Sequence, residues 1–417
     1  MIYVTPLGPQ SPEVWSPIRR QGRMPALQSS ILSRKRLAEL LAEARARTVL
    51  LVSPVSEEGM HARPDEAVQP VLQELEQILR FELEWLAQEP EQGSGESLPS
   101  FQSYDKWFDA MLEIRERSLE QLESVHGLGS SPSMEDRCRL VLEHEYRRGE
   151  AILETLQLQP DYRAPRRVAL PRGRRLADPG IMARFPGGTI SIGAAADTRV
   201  WPDEAPVNRV HLEPFWIDVM PVTNGDFITF MAAGGYMTAD YWSDEGWEWV
   251  RSNKVRTPRH WFWDEGAWWT RWMDRPAPLD LTCPVSCVSR YEAEAFAKFV
   301  GKRLPTDLEW EAAATWDPEI QDRRHYPWGN MAPSLNVANL DQLAFETAEV
   351  GAFPGNMSPI GCYGMIGDLW EWTASPTGVL RGGSWATRPG AARVTVGKCS
   401  PPSARHVFSG FRCAHDV

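Results

Sequence analysis

The stretch LVLEHEYRRGEAILETL, residues 140–156, opens like a metal site. His144 has a glutamate beside it on what reads as an amphipathic helix. A second imidazole one turn on, at 148, would share its face and complete a His-x-x-x-His pair. Arg148 stands there instead. A guanidinium has five donors and no lone pair, so it cannot ligate a cation. Turned inward, it needs an anionic partner.

The other chemistry-bearing residues are scattered. Cys283 and Cys287 are four apart, but none of the other cysteines (138, 362, 399, 413) adds the second cluster of a zinc site. His61 and His126 lack a second ligand at helical spacing. Asn339 and Asp341 in VANLDQ are candidate oxygen ligands for a structural Ca2+. Trp242, Trp247, Trp249, Trp261, Trp263, Trp268, Trp269 and Trp272 crowd one short segment. Their faces would cage a quaternary ammonium, or else hold together a domain with little regular structure.

Periodicity supplies the elements that must position these residues. Residues 1–30 are rich in Pro and Gln and read as an irregular arm. Residues 31–160 carry four stretches with apolar residues at helical spacing, which predicts a four-helix bundle, with Asp65 as an N-cap of the second. Residues 161–184, rich in Pro, Arg and Gly, read as a linker. From 185 to 417 the composition changes, and sixteen of the nineteen tryptophans lie between 201 and 385. Helices are expected at 223–235 and at 289–314, the latter broken at Leu304-Pro305. Short strands and long loops make up the rest, so the fold class is α+β.

The net charge of −12 argues against nucleic acid and anionic membranes as partners. No apolar run approaches a membrane span, and the first residues lack the pattern of a secretion signal. A reduced, cytoplasmic protein is expected.

Seven motifs run in order through the second half: FPGGTISIG (185–193), PVTNGDF (221–227), VSRYEAEAFAKFVGKRLPTDLEWEAAA (288–314), YPWGN (326–330), GMIGDLWEWT (364–373), LRGGSW (380–385) and GFRCA (410–414). Together they resemble the formylglycine-generating-enzyme (sulfatase-modifying-factor) domain, which has a C-type-lectin-like fold. AGGYMTADYWSDEGWEW (233–249), ANLDQ (338–342) and SWATRP (384–389) resemble the ergothioneine-type sulfoxide synthases (EgtB-like) within it. RTVLLVSPVSEEGM and QPVLQELEQILRFELEWL resemble the DinB-like helical bundle that precedes the domain in that subfamily.

The resemblance implies one non-haem iron held by three histidines and an O2-dependent joining of a thiol to a histidine-derived ring. The implied ligand positions fall on Gln77, His144 and Arg148, with Glu150 as a trailing acid. Glu74 and Gln77 are three apart on one side of their helix, so Glu74, Gln77 or Glu150 is the expected partner of Arg148. The family's segment between WEWT and LRGGSW, with its catalytic tyrosine, is nearly absent. Its substrate-binding acid and arginine fall near Ser400 and Ala404, beside Arg405. The copper-binding cysteines of true formylglycine-generating enzymes fall on Thr387 and Ala392.

No catalytic residue is assigned on this basis. The first reading is a repurposed family member without a cofactor, binding a small molecule or acting as a regulatory subunit, as a homo-oligomer or beside an active paralogue. Its candidate ligand pocket is Trp247, Trp249, Trp385, Arg388 and Arg405, the aromatic faces suiting a trimethylated ammonium. The second is an active iron enzyme forming C–S bonds oxidatively at a rebuilt site. The third is a lectin-like ligand-display protein that varies residues 386–409.

Overall fold

Ser33 starts the first helix. Its hydroxyl accepts from the Arg36 amide and satisfies one of the unpaired donors at the helix end. The computed structural model describes residues 33–87, 103–124, 133–165, 167–173, 180–194, 204 and 206–417. The expected N-terminal arm, His126 and the loop at 91–100 lie outside them. The helices of the first half are α1 (Arg34–Val52), α2 (Glu57–His61), α3 (Val71–Glu82), α4 (Tyr104–Ser124) and α5 (Met134–Leu156), and a π-turn (Leu83–Ala87) extends α3. Ser133 and Asp136 close a capping box on α5. Asp65 does not cap α3, which begins after Pro70. It accepts instead from the Ala67 amide and pairs with Arg259 at 2.7 Å.

The four long helices pack around Leu37, Leu41, Leu86, Leu122 and Leu142 at one end. At the other they pack around Leu75, Leu79, Trp107, Ile152 and Leu156. Between these layers sit four buried charges, one from each helix: Arg45, Glu82, Arg115 and Glu145. Arg45 reaches Glu145 at 2.8 Å and Glu82 at 2.6 Å. Arg115 grips Glu82 with two bonds, of 2.6 and 2.9 Å.

The second half has α6 (Asn224–Ala232), α7 (Asp244–Ser252), α8 (Arg290–Phe299) and α9 (Asp307–Thr315). α8 and α9 are separate helices, split at the proline as expected. The strands are β1 (Met182–Phe185), β2 (Gly188–Ile192), β3 (Asn208–Leu212), β4 (Phe215–Asp218), β5 (Trp261–Asp264), β6 (Ala267–Trp272), β7 (Arg275–Pro278), β8 (Trp316–Asp317), β9 (Asp322–Arg323), β10 (Trp370–Trp372), β11 (Val379–Arg381), β12 (Gly397–Cys399), β13 (Ser409–Gly410) and β14 (Ala414–Asp416). They form small sheets of order β1-β4-β14, β12-β11-β10-β13, β5-β6-β7, β2-β3 and β8-β9.

The recurring motifs are joints between these pieces. Arg412, fully buried, holds Glu371 with bonds of 2.7 and 2.8 Å, and the Trp310 indole donates to the same carboxylate at 2.7 Å. The WEW, GFRC and LEW segments therefore meet at one carboxylate. At Gly382, with φ +97°, a Cβ would stand 2.7 Å from the Met365 carbonyl, so LRGGSW needs glycine there. The apolar core at the foot of the helices continues into Trp272, Met273, Cys287, Phe345, Trp385 and Phe408, so the two halves share it.

The buried quartet makes an acid-stability prediction. Burial raises the Glu82 pKa, but Arg45 and Arg115 overcome it and hold the carboxyl at about 2, below its ordinary value of 4.5. This contribution is present above pH 4.5 and lost as the pH falls through 2. It is worth ~3 kcal/mol. Urea titrations across that window are expected to show the loss, and Glu82→Gln should lower stability at neutral pH while flattening the acid limb.

Candidate functional site

α5 presents carboxylates to both halves of the chain. Glu143, Glu150 and Glu154 are spaced i, i+7 and i+11, so they form one stripe. Each is buried and each meets the second half. Arg393 binds Glu143 at 2.9 Å and Glu204 at 2.5 Å. Glu150 accepts from the Trp370 indole at 2.6 Å, the Ser384 hydroxyl at 2.8 Å and the Thr387 hydroxyl at 2.9 Å. Lys398 on β12 bonds to Glu154 and lies 4.0 Å from Glu150. Burial pushes the Glu154 carboxyl up to about 7 against the pull of Lys398.

Two residues before Glu150, Arg148 turns to α3. Its Nη1 donates to Glu74 at 3.1 Å, so Glu74 is the partner among the three expected. Glu150 is not, because its oxygens are committed to Trp370, Ser384 and Thr387. Gln77 lies one turn beyond Glu74 on α3 and is part-buried. The His144 imidazole stacks on Phe81, with centroids 4.1 Å apart and planes at 10°. Burial, then Arg148 and Arg147, lower its pKa to about 3, so the ring is neutral at physiological pH.

These positions fit poorly to the iron that the family resemblance implies. They supply one imidazole, one carboxamide and one guanidinium, and the guanidinium brings a fixed positive charge and no lone pair. Among the described residues no group of three or more His, Cys, Asp or Glu side chains is arranged to hold a metal ion.

The other candidates separate. Trp385 is fully buried in the shared core, 4.4 Å from Phe408 and edge-on to Trp272. Arg388 is buried over the Tyr146 ring and paired with Glu43 at 3.0 Å and Asp341 at 2.9 Å. Trp247 and Trp249 pack part-buried against a different core, from α7. Arg405 lies 5.9 Å from the Trp249 ring centroid and pairs with Glu292 at 3.1 Å. The five proposed pocket residues thus fall in two places, with both arginines already paired. Asn339 and Asp341 also face apart. Asn339 donates to Asp368 at 2.8 Å, while the Asp341 carboxylate takes Arg388 and, at 3.0 Å, Arg47.

Comparison with known proteins agrees with this architecture. The model of the sulfatase-modifying factor enzyme 1-like domain matches residues 169–417. The hercynine oxygenase of Mycolicibacterium smegmatis is 31% identical over 93% of this chain and 100% of its own length. That of Mycobacterium tuberculosis is 31% identical over 92% of this chain and 100% of its own length. An inactive C-alpha-formylglycine-generating enzyme 2 from Bos taurus is 35% identical over 56% of this chain and 87% of its own length. The chain belongs to the sulfatase-modifying-factor family, in the branch of the hercynine oxygenases.

Of these residues the sequence reading singled out Glu150 alone, as a trailing acid, and not Lys398, Glu143 or Glu154, although the i, i+7, i+11 spacing was there to be read. Their role is testable. Lys398→Met leaves Glu154 without its cation and drives its pKa further up. A carboxylate with a raised folded pKa loses stability as pH rises from its unfolded value to its folded one. The variant is expected to lose about 3 kcal/mol at pH 8 and clearly less at pH 5, by urea denaturation. Glu154→Gln in the same background should remove that pH dependence.

Proposed function

We propose that this chain is a hercynine oxygenase relative that has given up iron chemistry and serves as a small-molecule-binding or regulatory subunit. The Arg148–Glu74 ion pair, standing where the family places two metal-binding helices together, carries the reading. A cation entering between α3 and α5 would have to displace a guanidinium from a buried carboxylate, with one imidazole as its return. The partner is a second copy or an active paralogue, in the cytoplasm.

A second reading has one observation in its favour. Two relatives named hercynine oxygenase match along their full length. An active enzyme would keep that match while building its metal shell from other side chains.

Iron content separates the two. Protein purified anaerobically with Fe(II) is expected to be metal-free, while a Gln77→His, Arg148→His double variant should take up about one iron per chain. About one iron in the wild-type chain would overturn the proposal and put oxidative thiol chemistry first.

A further inference from the structure

The hairpin of β5 and β6 leaves aromatic rings in solvent at its tip. Trp263 is 61% exposed and Phe262 39%. Trp263 lies opposite Trp268, and Phe262 opposite Trp269. Alternate residues of a strand share a side, so the two pairs take opposite faces. The Trp263 and Trp268 rings meet edge to face, with centroids 5.2 Å apart at 81°. Trp268 packs against the core, 6.0 Å from the ring of the buried Trp261, so the tip is held from beneath. Its turn is held too, because Glu265 and Gly266 both have the positive φ of a two-residue primed turn. Gln157, the C-cap of α5, fixes the other end by bonding the Arg271 carbonyl at 2.9 Å and the Met273 amide at 2.5 Å.

The same tip carries charge. Asp264 shares a face with Phe262, and Glu265 sits in the turn two residues after Trp263. Both are exposed, and among the described residues neither carboxylate has an ion pair or a hydrogen bond. Open carboxylates alone specify nothing, since water solvates them. Beside open indole faces they do. A guanidinium is planar and weakly hydrated, stacks on an aromatic face and takes a carboxylate with two parallel N–H bonds. An ammonium is strongly hydrated and has no plane to stack.

The edges of this sheet narrow the mode of contact. β7 carries Pro276 and Pro278, which offer no amide hydrogens, so an added strand is disfavoured there. β5, at the other edge, has four residues, and short edges are poor templates for pairing. Recognition at the tip falls to side chains.

We propose that the hairpin tip is a docking site for an arginine-bearing segment of a partner protein, with guanidinium groups stacked on Trp263 and paired with Glu265 and Asp264. Neither reading of the iron site bears on it.

Fluorescence anisotropy with a labelled peptide of alternating glycine and arginine, and with its glycine–lysine counterpart, tests this on the full chain in about 0.15 M salt. The arginine peptide is expected to bind saturably, roughly fivefold tighter than the lysine peptide. Trp263→Ala removes an exposed ring, and the double variant Asp264→Asn, Glu265→Gln keeps the size of both side chains. Each is expected to weaken binding about tenfold, with an unchanged urea midpoint. Should the midpoint of Trp263→Ala fall, the double variant carries the test. No saturable binding, or binding that neither variant weakens, would overturn the proposal. Equal affinity for the two peptides would overturn it too, reducing the contact to attraction between any cation and a chain of net charge −12. So would a chain that binds neither peptide but dimerises through Trp263, which would give the tip to a second copy.

Discussion

Burying a carboxylate is costly unless donors or cations meet it, and α5 buries four, Glu143, Glu145, Glu150 and Glu154, with a fifth, Glu74, facing it from α3. The rest of the architecture answers that constraint. Glu145 is met within the helical half by Arg45, Arg115 and Thr48. Glu143, Glu150 and Glu154 are met from residues after 200, Glu143 also by Arg147 of its own helix, and Glu74 by Arg148. α5 is therefore common to two polar networks, and the apolar layer of Ile152, Leu156, Trp272 and Trp385 seals their lower end.

The same constraint gives Arg148 a physical meaning beyond the absence of a ligand. Glu74 is buried on the face of α3 that looks toward α5. A neutral residue at 148 would leave that carboxylate without its cation. A guanidinium supplies the charge and directional donors at once. His144, its near neighbour, is then held neutral and stacked on an aromatic ring, a packing role that a histidine fills without any metal.

How much of this was legible in the sequence depended on how far apart the partners lie. Helix periods, the break at Leu304-Pro305 and the pairing of Arg148 with α3 followed from spacing within single helices. Glu150 could not be read in that way, because its three donors lie 220 to 237 residues away and become one cradle only when β10 and the LRGGSW turn are in place. The tryptophan-rich segment misled for a related reason. Density along the chain does not specify which rings of one sheet face the rest of the fold covers and which it leaves at the hairpin tip. Trp261 and Trp272 went to the interior and Trp263 to the surface. Asp65 looked like a cap, but Pro70 starts α3 five residues later, which freed that carboxylate to bind Arg259 across the two halves. The Asn339–Asp341 pair had ligand chemistry on paper, yet the two arginines Arg47 and Arg388 claim Asp341.

The central claim is that α5 makes the two halves one cooperative unit. Differential scanning calorimetry of the full chain tests it most directly. A single transition is expected, with the calorimetric enthalpy equal to the van't Hoff enthalpy. Two resolved transitions, one for the helical half and one for the sheet-containing half, would contradict it and reduce the carboxylate stripe to a surface contact between independent domains.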